Sequence, residues 1–379
     1  MGSGKISRGF PAWGWGFIGV AFGLVLVFLG YFLWTGKSPI RHSLPTFQAT
    51  FTFPAAEGSP QASATPQLSL TVVLPGSSTR DTPQTNSTPV SAPPCTQIGQ
   101  VWISPQDGMK MVCVPAGPFL MGSDPKRDPD ALANEFPQHS VTLPAFWIDS
   151  TEVTNAMFTA FFQATAYRTD AEQGREAWVL DLDQQAWVPQ PGAFWMQPHG
   201  QGSNILGLEN YPVVQMSWND AHAYCAWAGK QLPTEAQWEK AARGTDGRIF
   251  PWGDQPPTGD LLNLADRSLK VKWADSSIDD GHAYAAPVGS YPEGASPYGA
   301  LDMAGNVWEW VADWYDEQYY TNSPLENPPG AFSGILRAVR GGGWAGDRVS
   351  ARSADRDAYV PMKALEVYGF RCVSGAPQE

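Results

Sequence analysis

Positive charge is in short supply. Against 37 Asp and Glu stand 24 Lys and Arg, a formal net charge of −13. No basic stripe is available to neutralise phosphates, so nucleic acid is excluded as a partner. Histidine is scarcer still: His42, His139, His199, His222 and His282, with no two at helical i, i+3 or i+4 spacing, which excludes a His-Glu-x-x-His metal helix. There is no Gly-Lys-Ser/Thr phosphate loop and no Gly-x-Ser-x-Gly elbow. Only four cysteines occur, Cys95, Cys113, Cys225 and Cys372. An even number permits two disulfides, but spacing alone does not say which cysteine pairs with which.

Long apolar runs are missing as well, with one exception. Trp13 to Trp34 carries no charge, is rich in Val, Leu, Phe and Gly, and is bracketed by Trp13, Trp15 and Trp34. Such a run is long enough for a bilayer core, and its aromatic ends suit the two interfaces. The expectation is a short cytoplasmic N-terminus over 1–12, a transmembrane helix over 13–34 and an extracytoplasmic remainder, making a single-pass cell-membrane protein. The rival is a cleaved signal peptide, whose apolar core is usually shorter and followed by a small-x-small site absent here. Residues 35–98 repeat Pro, Ser, Thr, Ala and Gln without apolar periodicity. They read as a disordered tether.

What is abundant lies further on. With 17 Trp, 38 Gly and 34 Pro, residues 99–379 read as a loop-rich domain held by aromatic packing. The densest stretch is Pro297–Tyr315, where Trp308, Trp310 and Trp314 interleave with Asp302, Asn306, Glu309 and Asp313. In an extended backbone Trp308 and Trp310 face one side and Glu309 the other. Gly305-Asn306 is a turn signal. A turn of this kind lets carbonyls and carboxylates converge on a hard cation; the bland alternative is a packed hairpin with Glu309 in solvent.

Other elements follow from local chemistry. Gly108–Ser123 reads as strand, Pro-Ala-Gly turn and strand, and Val141–Asp149 as one further strand. Helices are expected after Thr154 or Asn155, with Phe158, Phe161 and Phe162 on the buried side, after Ser217, and after Thr234, which forms a capping box with Gln237. Glu235 and Glu239 read as acidic first-turn residues favoured by the helix dipole. Arg348, Arg352 and Arg356 recur every fourth residue beside Asp347, Asp355 and Asp357, and on a helix would form a solvated, salt-bridged face.

The words Met-Ala-Gly-Asn-Val-Trp-Glu-Trp310, Arg340-Gly-Gly-Gly-Trp344 and Gly369-Phe-Arg-Cys372 resemble the sulfatase-modifying-factor family, the formylglycine-generating enzymes. The likeness runs from about Met109 to the C-terminus and implies an α+β, loop-rich fold related to C-type lectins. Oxidase members carry a cysteine pair just after the Arg-Gly-Gly-Ser-(aromatic) motif, and these thiolates hold copper. Here that run has no cysteine, and Gly343 stands in place of the serine, so no copper and no formylglycine generation are expected. A sulfoxide-forming branch holds iron with a histidine cluster, which five scattered histidines do not supply.

The resemblance also implies two structural calcium ions. One ligand set comprises the Asp302 and Glu309 side chains with the Gly305 and Val307 carbonyls. The other comprises the Asn263 side chain, the Leu264 carbonyl, Asp280 and the His282 carbonyl. It pairs Cys225 with Cys372, a long loop whose closure is worth about 4 to 5 kcal/mol in a chain-entropy account; Cys95 with Cys113 is a further pairing without a motif behind it. Trp344, Asp347 and Arg352 would line a remnant of the substrate groove. The functional expectation is a non-oxidase binding or accessory protein whose partner is a protein, peptide or glycan. The alternative is an enzyme of unrecognised chemistry in the groove.

Overall fold

The structure, a computed structural model, describes residues 92–375. The expected anchor and most of the tether lie outside them. Among the described residues no helix is long and apolar enough to cross a membrane.

In chain order the strands are β1 (Val101–Ile103), β2 (Lys110–Val114), β3 (Gly117–Met121), β4 (His139–Leu143), β5 (Phe146–Asp149), β6 (Ala177–Asp181), β7 (Ala186–Pro189), β8 (Trp308–Trp314), β9 (Arg337–Arg340), β10 (Asp357–Tyr359), β11 (Ala364–Leu365), β12 (Tyr368–Gly369) and β13 (Val373–Gly375). Three helices intervene between β5 and β8: α1 (Asn155–Thr165), α2 (Trp218–Trp227) and α3 (Glu235–Arg243). The strands form four small sheets, ordered β1-β2-β5-β13, β10-β9-β8-β12, β11-β6-β7 and β3-β4. Long connections do the rest: 244–307 contains a single 3-10 turn, Pro292–Gly294, and no strand.

The expected single strand over Val141–Asp149 is two. Pro144 has no N–H to give a ladder, and the chain changes partner there, β4 pairing with β3 and β5 with β2. The helix starts are as read. The hydroxyl of Thr154 accepts from Met157 N, and Ser217–Asp220 and Thr234–Gln237 close capping boxes. Phe158 and Phe161 face inward, Phe158 packing edge-on to Trp195 at 5.2 Å, while Phe162 is half-buried.

Both cysteine pairs are disulfides, Cys95–Cys113 and Cys225–Cys372. The second ties α2 to the segment just before β13. Beside it, Lys230 Nζ lies 2.7 Å from Asp107 and 2.8 Å from Asp149, and Asp149 also accepts from Cys372 N.

The arginine-rich run is not a helical, solvated face. Residues 347–356 are turns, and Arg352 and Arg356 are buried. Arg352 bonds Asp128 and both oxygens of Glu135, and Arg356 makes a two-nitrogen contact with Glu235. Arg340 reaches Glu239 at 2.6 Å. Glu235 and Glu239 are therefore interior acids. Every residue of α3 is buried, so its charged side chains must find partners inside the protein: these arginines serve Glu235 and Glu239, Lys240 donates to the Pro115 and Gly117 carbonyls, and Arg243 to Glu239 and the Gly122 carbonyl.

Candidate functional site

Two neighbourhoods collect the residues singled out in the sequence. The first is the turn leading into β8. Asp302 and Asn306 both take positive φ, 55° and 61°. At Gly305 an added Cβ would sit 2.1 Å from the Asn263 carbonyl oxygen, so only glycine lets these two loops touch. Asn306 is the hub of the contact. Its N–H donates to Asn263 O, its Oδ1 accepts from Ala286 N and Asn263 Nδ2, and its Nδ2 donates to Glu152 Oε1.

Glu309 is not in solvent. Arg371 grips it through Nε to Oε2 and Nη2 to Oε1, both 2.7 Å, and Trp238 Nε1 donates to Oε2 at 2.8 Å. Asp302 Oδ2 accepts from Gly289 N, but its Oδ1 is buried without a partner, and so is Oε2 of Glu152. Burial first, and then the charge of Asp302, pushes the Glu152 carboxyl well above its usual range. Nothing local in the sequence marks Glu152 as a member of this cluster, since its partner Asn306 lies 154 residues away.

The second predicted ligand set is gathered close by. Leu264 N and His282 N donate to the two oxygens of Asp280. Asn263 Oδ1 is buried without a partner, while the His282 carbonyl accepts from Ser268 Oγ. Burial raises Asp280 to about 6. Among the described residues no three His, Cys, Asp or Glu side chains form a ready metal cluster. Both sets instead mix carboxylates or amides with carbonyls, the donors a hard cation takes, and their orphaned oxygens Asp302 Oδ1 and Asn263 Oδ1 fit one. Glu309 fits less well, being already neutralised by Arg371.

The other neighbourhood is a cleft beside the Arg340-Gly-Gly-Gly-Trp344 run, with a volume of ≈ 250 Å³. Trp344 and Tyr284 meet edge to face at 4.9 Å in its wall, and Ile205, Leu208, Val214 and Ala285 make most of the rest apolar. His199 stands half-exposed at the cleft, with Nδ1 2.6 Å from Oε2 of buried Glu366. That hydrogen bond raises the imidazole's pKa. Leu180 N donates to the other carboxylate oxygen.

Of the predicted groove residues only Trp344 lines this cleft. Asp347 is exposed and caps a turn, accepting from Val349 N and Ser350 N, and Arg352 is withdrawn into its ion pairs. Gly343 is packed shut: a Cβ there would meet Val367 Cγ2 at 2.5 Å. Neither His199 nor Glu366 was legible as a pair, since nothing local links residues so far apart in the chain.

A mixed, loop-rich α+β domain with two disulfides and this Asn306-centred turn defines the class. The profile of the sulfatase-modifying factor enzyme 1-like domain matches residues 100–376, and the chain belongs to that family. It is 39% identical to the formylglycine-generating enzyme of Streptomyces coelicolor over 295 residues, 72% of this chain and 91% of that one. It is 37% identical to the inactive C-alpha-formylglycine-generating enzyme 2 of Bos taurus over 300 residues, 73% of this chain and 92% of that one. In structure it resembles PvdO from Pseudomonas aeruginosa, with a TM-score of 0.58 and 26% identity over 73% of this chain and 98% of that one.

Proposed function

We propose that this protein is a membrane-tethered, extracytoplasmic, non-oxidase member of the family that binds a ligand in the cleft beside Trp344. The observation that carries the reading is the state of the cysteines. All four cysteines of the chain stand in disulfides, leaving no thiolate pair for a soft copper ion. The packing of Val367 on Gly343 fills the place of the family's serine. An inactive enzyme among the relatives agrees with this reading. Two disulfides suit an oxidising compartment, and the apolar run before the domain would supply the anchor.

Calcium belongs to the same reading. Asn263, Leu264, Asp280 and His282 would hold one ion, and Asp302, Gly305, Val307 and Glu309 the other. The ions would supply only structural cross-links between long loops.

The test has two arms. Incubated with copper and a Cys-x-Pro-x-Arg peptide, the protein should form no aldehyde above a no-protein control. On peptide and glycan arrays it should give signals that vanish in Leu208→Arg, which places a charge in the apolar wall. Aldehyde formation, or array binding indifferent to that substitution, would sink the proposal. The tether is tested separately: protease added to intact cells should remove the domain, and protection would refute the topology.

A further inference from the structure

A base with its own orienting acid stands at the cleft. Glu366, in the turn between β11 and β12, is buried, and one of its oxygens accepts from Leu180 N in β6 at 2.6 Å. The other meets His199 Nδ1 at 2.6 Å. An ionised carboxylate only accepts, so Nδ1 carries the hydrogen and Nε2 keeps the lone pair. His199 itself is accessible, its side chain 50% exposed against 2% for Glu366. Because the Nδ1 edge is turned onto a buried carboxylate, that exposure falls on the opposite edge, which holds Nε2. Among the described residues nothing bonds Nε2.

The rest of the cleft narrows the chemistry. Tyr284 is 39% exposed, its ring centroid is 5.3 Å from that of His199, and its hydroxyl makes no hydrogen bond among the described residues. Burial and then the charge of Glu366 raise its pKa, so at neutral pH it stays a phenol and a donor. No Ser, Thr, Cys or Lys lines the cleft, which leaves no covalent nucleophile at hand. The walls of Ile205, Leu208, Val214 and Ala285 suit an apolar substrate, and a volume of ≈ 250 Å³ a small one. A base and one neutral donor beside an apolar wall are the two groups that proton abstraction next to a carbonyl requires.

We propose that His199, oriented by Glu366, moves a proton on the carbon next to the carbonyl of a small apolar ketone, with Tyr284 holding the oxygen. Nε2 takes the hydrogen, and the C–H electron pair becomes the C=C bond of an enolate. The carbonyl π pair passes to the oxygen, which accepts from the Tyr284 hydroxyl. The imidazolium then returns the proton to the same carbon or to one conjugated with it. The net reaction is a tautomerisation or isomerisation and needs no oxidant. This rests on the cleft admitting a ligand, as in the reading above, and adds to it a reaction. Glu366 acts only through His199 and is a positioning residue.

The experiment uses the full-length chain and phenylacetone in deuterium oxide, following loss of the benzylic CH2 signal by proton NMR. Exchange should run about 10²-fold faster than with free imidazole at the same concentration, the lower end of what a positioned base supplies. The ionisable groups beside the imidazole are Glu366 and Tyr284. The Glu366 hydrogen bond raises the imidazole's pKa, so the rate should climb along a limb set above the ordinary value of about 6.5. His199→Gln should remove the catalysis, and so should Leu208→Arg, which places a charge in the apolar wall. Tyr284→Phe should slow exchange. Glu366→Gln should slow it too and move the limb to lower pH, a shift that a merely structural role would not produce. The wild-type rate needs no variant: a value within about tenfold of free imidazole would overturn the inference. Exchange that persists in His199→Gln or in Leu208→Arg would overturn it as well. Array binding that is lost in Leu208→Arg would then leave the cleft reading standing without it.

Discussion

Arg371 and Glu309 form a two-nitrogen ion pair from which water is excluded, the two residues being 0% and 1% exposed. Their elements are brought together by the parallel pairing of β12 with β8, in which Gly369 stands opposite Glu309. The pair also joins two of the sequence words, Trp-Glu-Trp and Gly-Phe-Arg-Cys. Removing one partner would leave the other charged and buried, a loss of about 3–5 kcal/mol. Arg371→Met should therefore destabilise the domain by that order in urea unfolding. The double variant Arg371→Met with Glu309→Gln should recover part of it. A loss below about 1 kcal/mol for the single change would show that the pair is not what holds these strands together.

The Cys225–Cys372 bridge closes a long stretch of the described domain, its cysteines 147 positions apart in sequence. Peptides containing the two cysteines should stay linked in a non-reducing digest. Replacing both by alanine should cost about 2–5 kcal/mol. Recovery of both as free thiols from the native protein would refute the bridge.

How much of this could be read beforehand depended on whether the signal was local. Helix starts at Thr154, Ser217 and Thr234 were legible because a cap is a matter of one hydroxyl and an N–H three residues on. The Gly305-Asn306 turn was legible because few residues tolerate positive φ. The fates of Arg352 and Glu235 were not. Helical spacing is the same for solvated and buried charges, and their partners Glu135 and Arg356 lie 217 and 121 residues away. The cleft was visible only through Trp344, since Asn155, His199 and Glu366 come from three distant segments.

At the first proposed calcium site the ligand oxygen Asp302 Oδ1 has no partner, and neither has Oε2 of Glu152, a buried acid that feels the Asp302 charge. Two buried acids that feel each other's charge need either a bound cation or a shared proton. With a cation, a chelator should lower the thermal midpoint and excess calcium restore it; at a hundred times Kd the stabilisation is about 2.7 kcal/mol. Asp302→Asn and Glu152→Gln should each weaken that calcium dependence. With a shared proton instead, Glu152→Gln would imitate the protonated acid, leaving stability undiminished and indifferent to calcium. No chelator effect, together with no calcium by elemental analysis, would remove both proposed sites.

Asp355 gives the domain an unusual response to pH. It is buried beside Arg352, with Arg352 Nη2 at 3.4 Å from its Oδ1, and burial raises its carboxyl to about 7 despite that arginine. The other charged groups around it, Glu135, Arg340 and Asp357, pull in both directions. Its folded pKa lies above the unfolded value of about 3.9. The folded state therefore holds a proton that the unfolded chain has released, and this contribution to stability is complete below pH ~4 and lost as pH rises through 7. The linked slope approaches about 1.4 kcal/mol per pH unit for one proton. Asp355→Asn, which keeps the neutral shape, should flatten the fall in urea-unfolding stability between pH 4 and 7 and make the variant relatively more stable at pH 7 than at pH 4. Asp313, also raised to about 7, would keep part of the slope. A slope unchanged by Asp355→Asn would mean that Asp355 is ionised throughout, held down by Arg352.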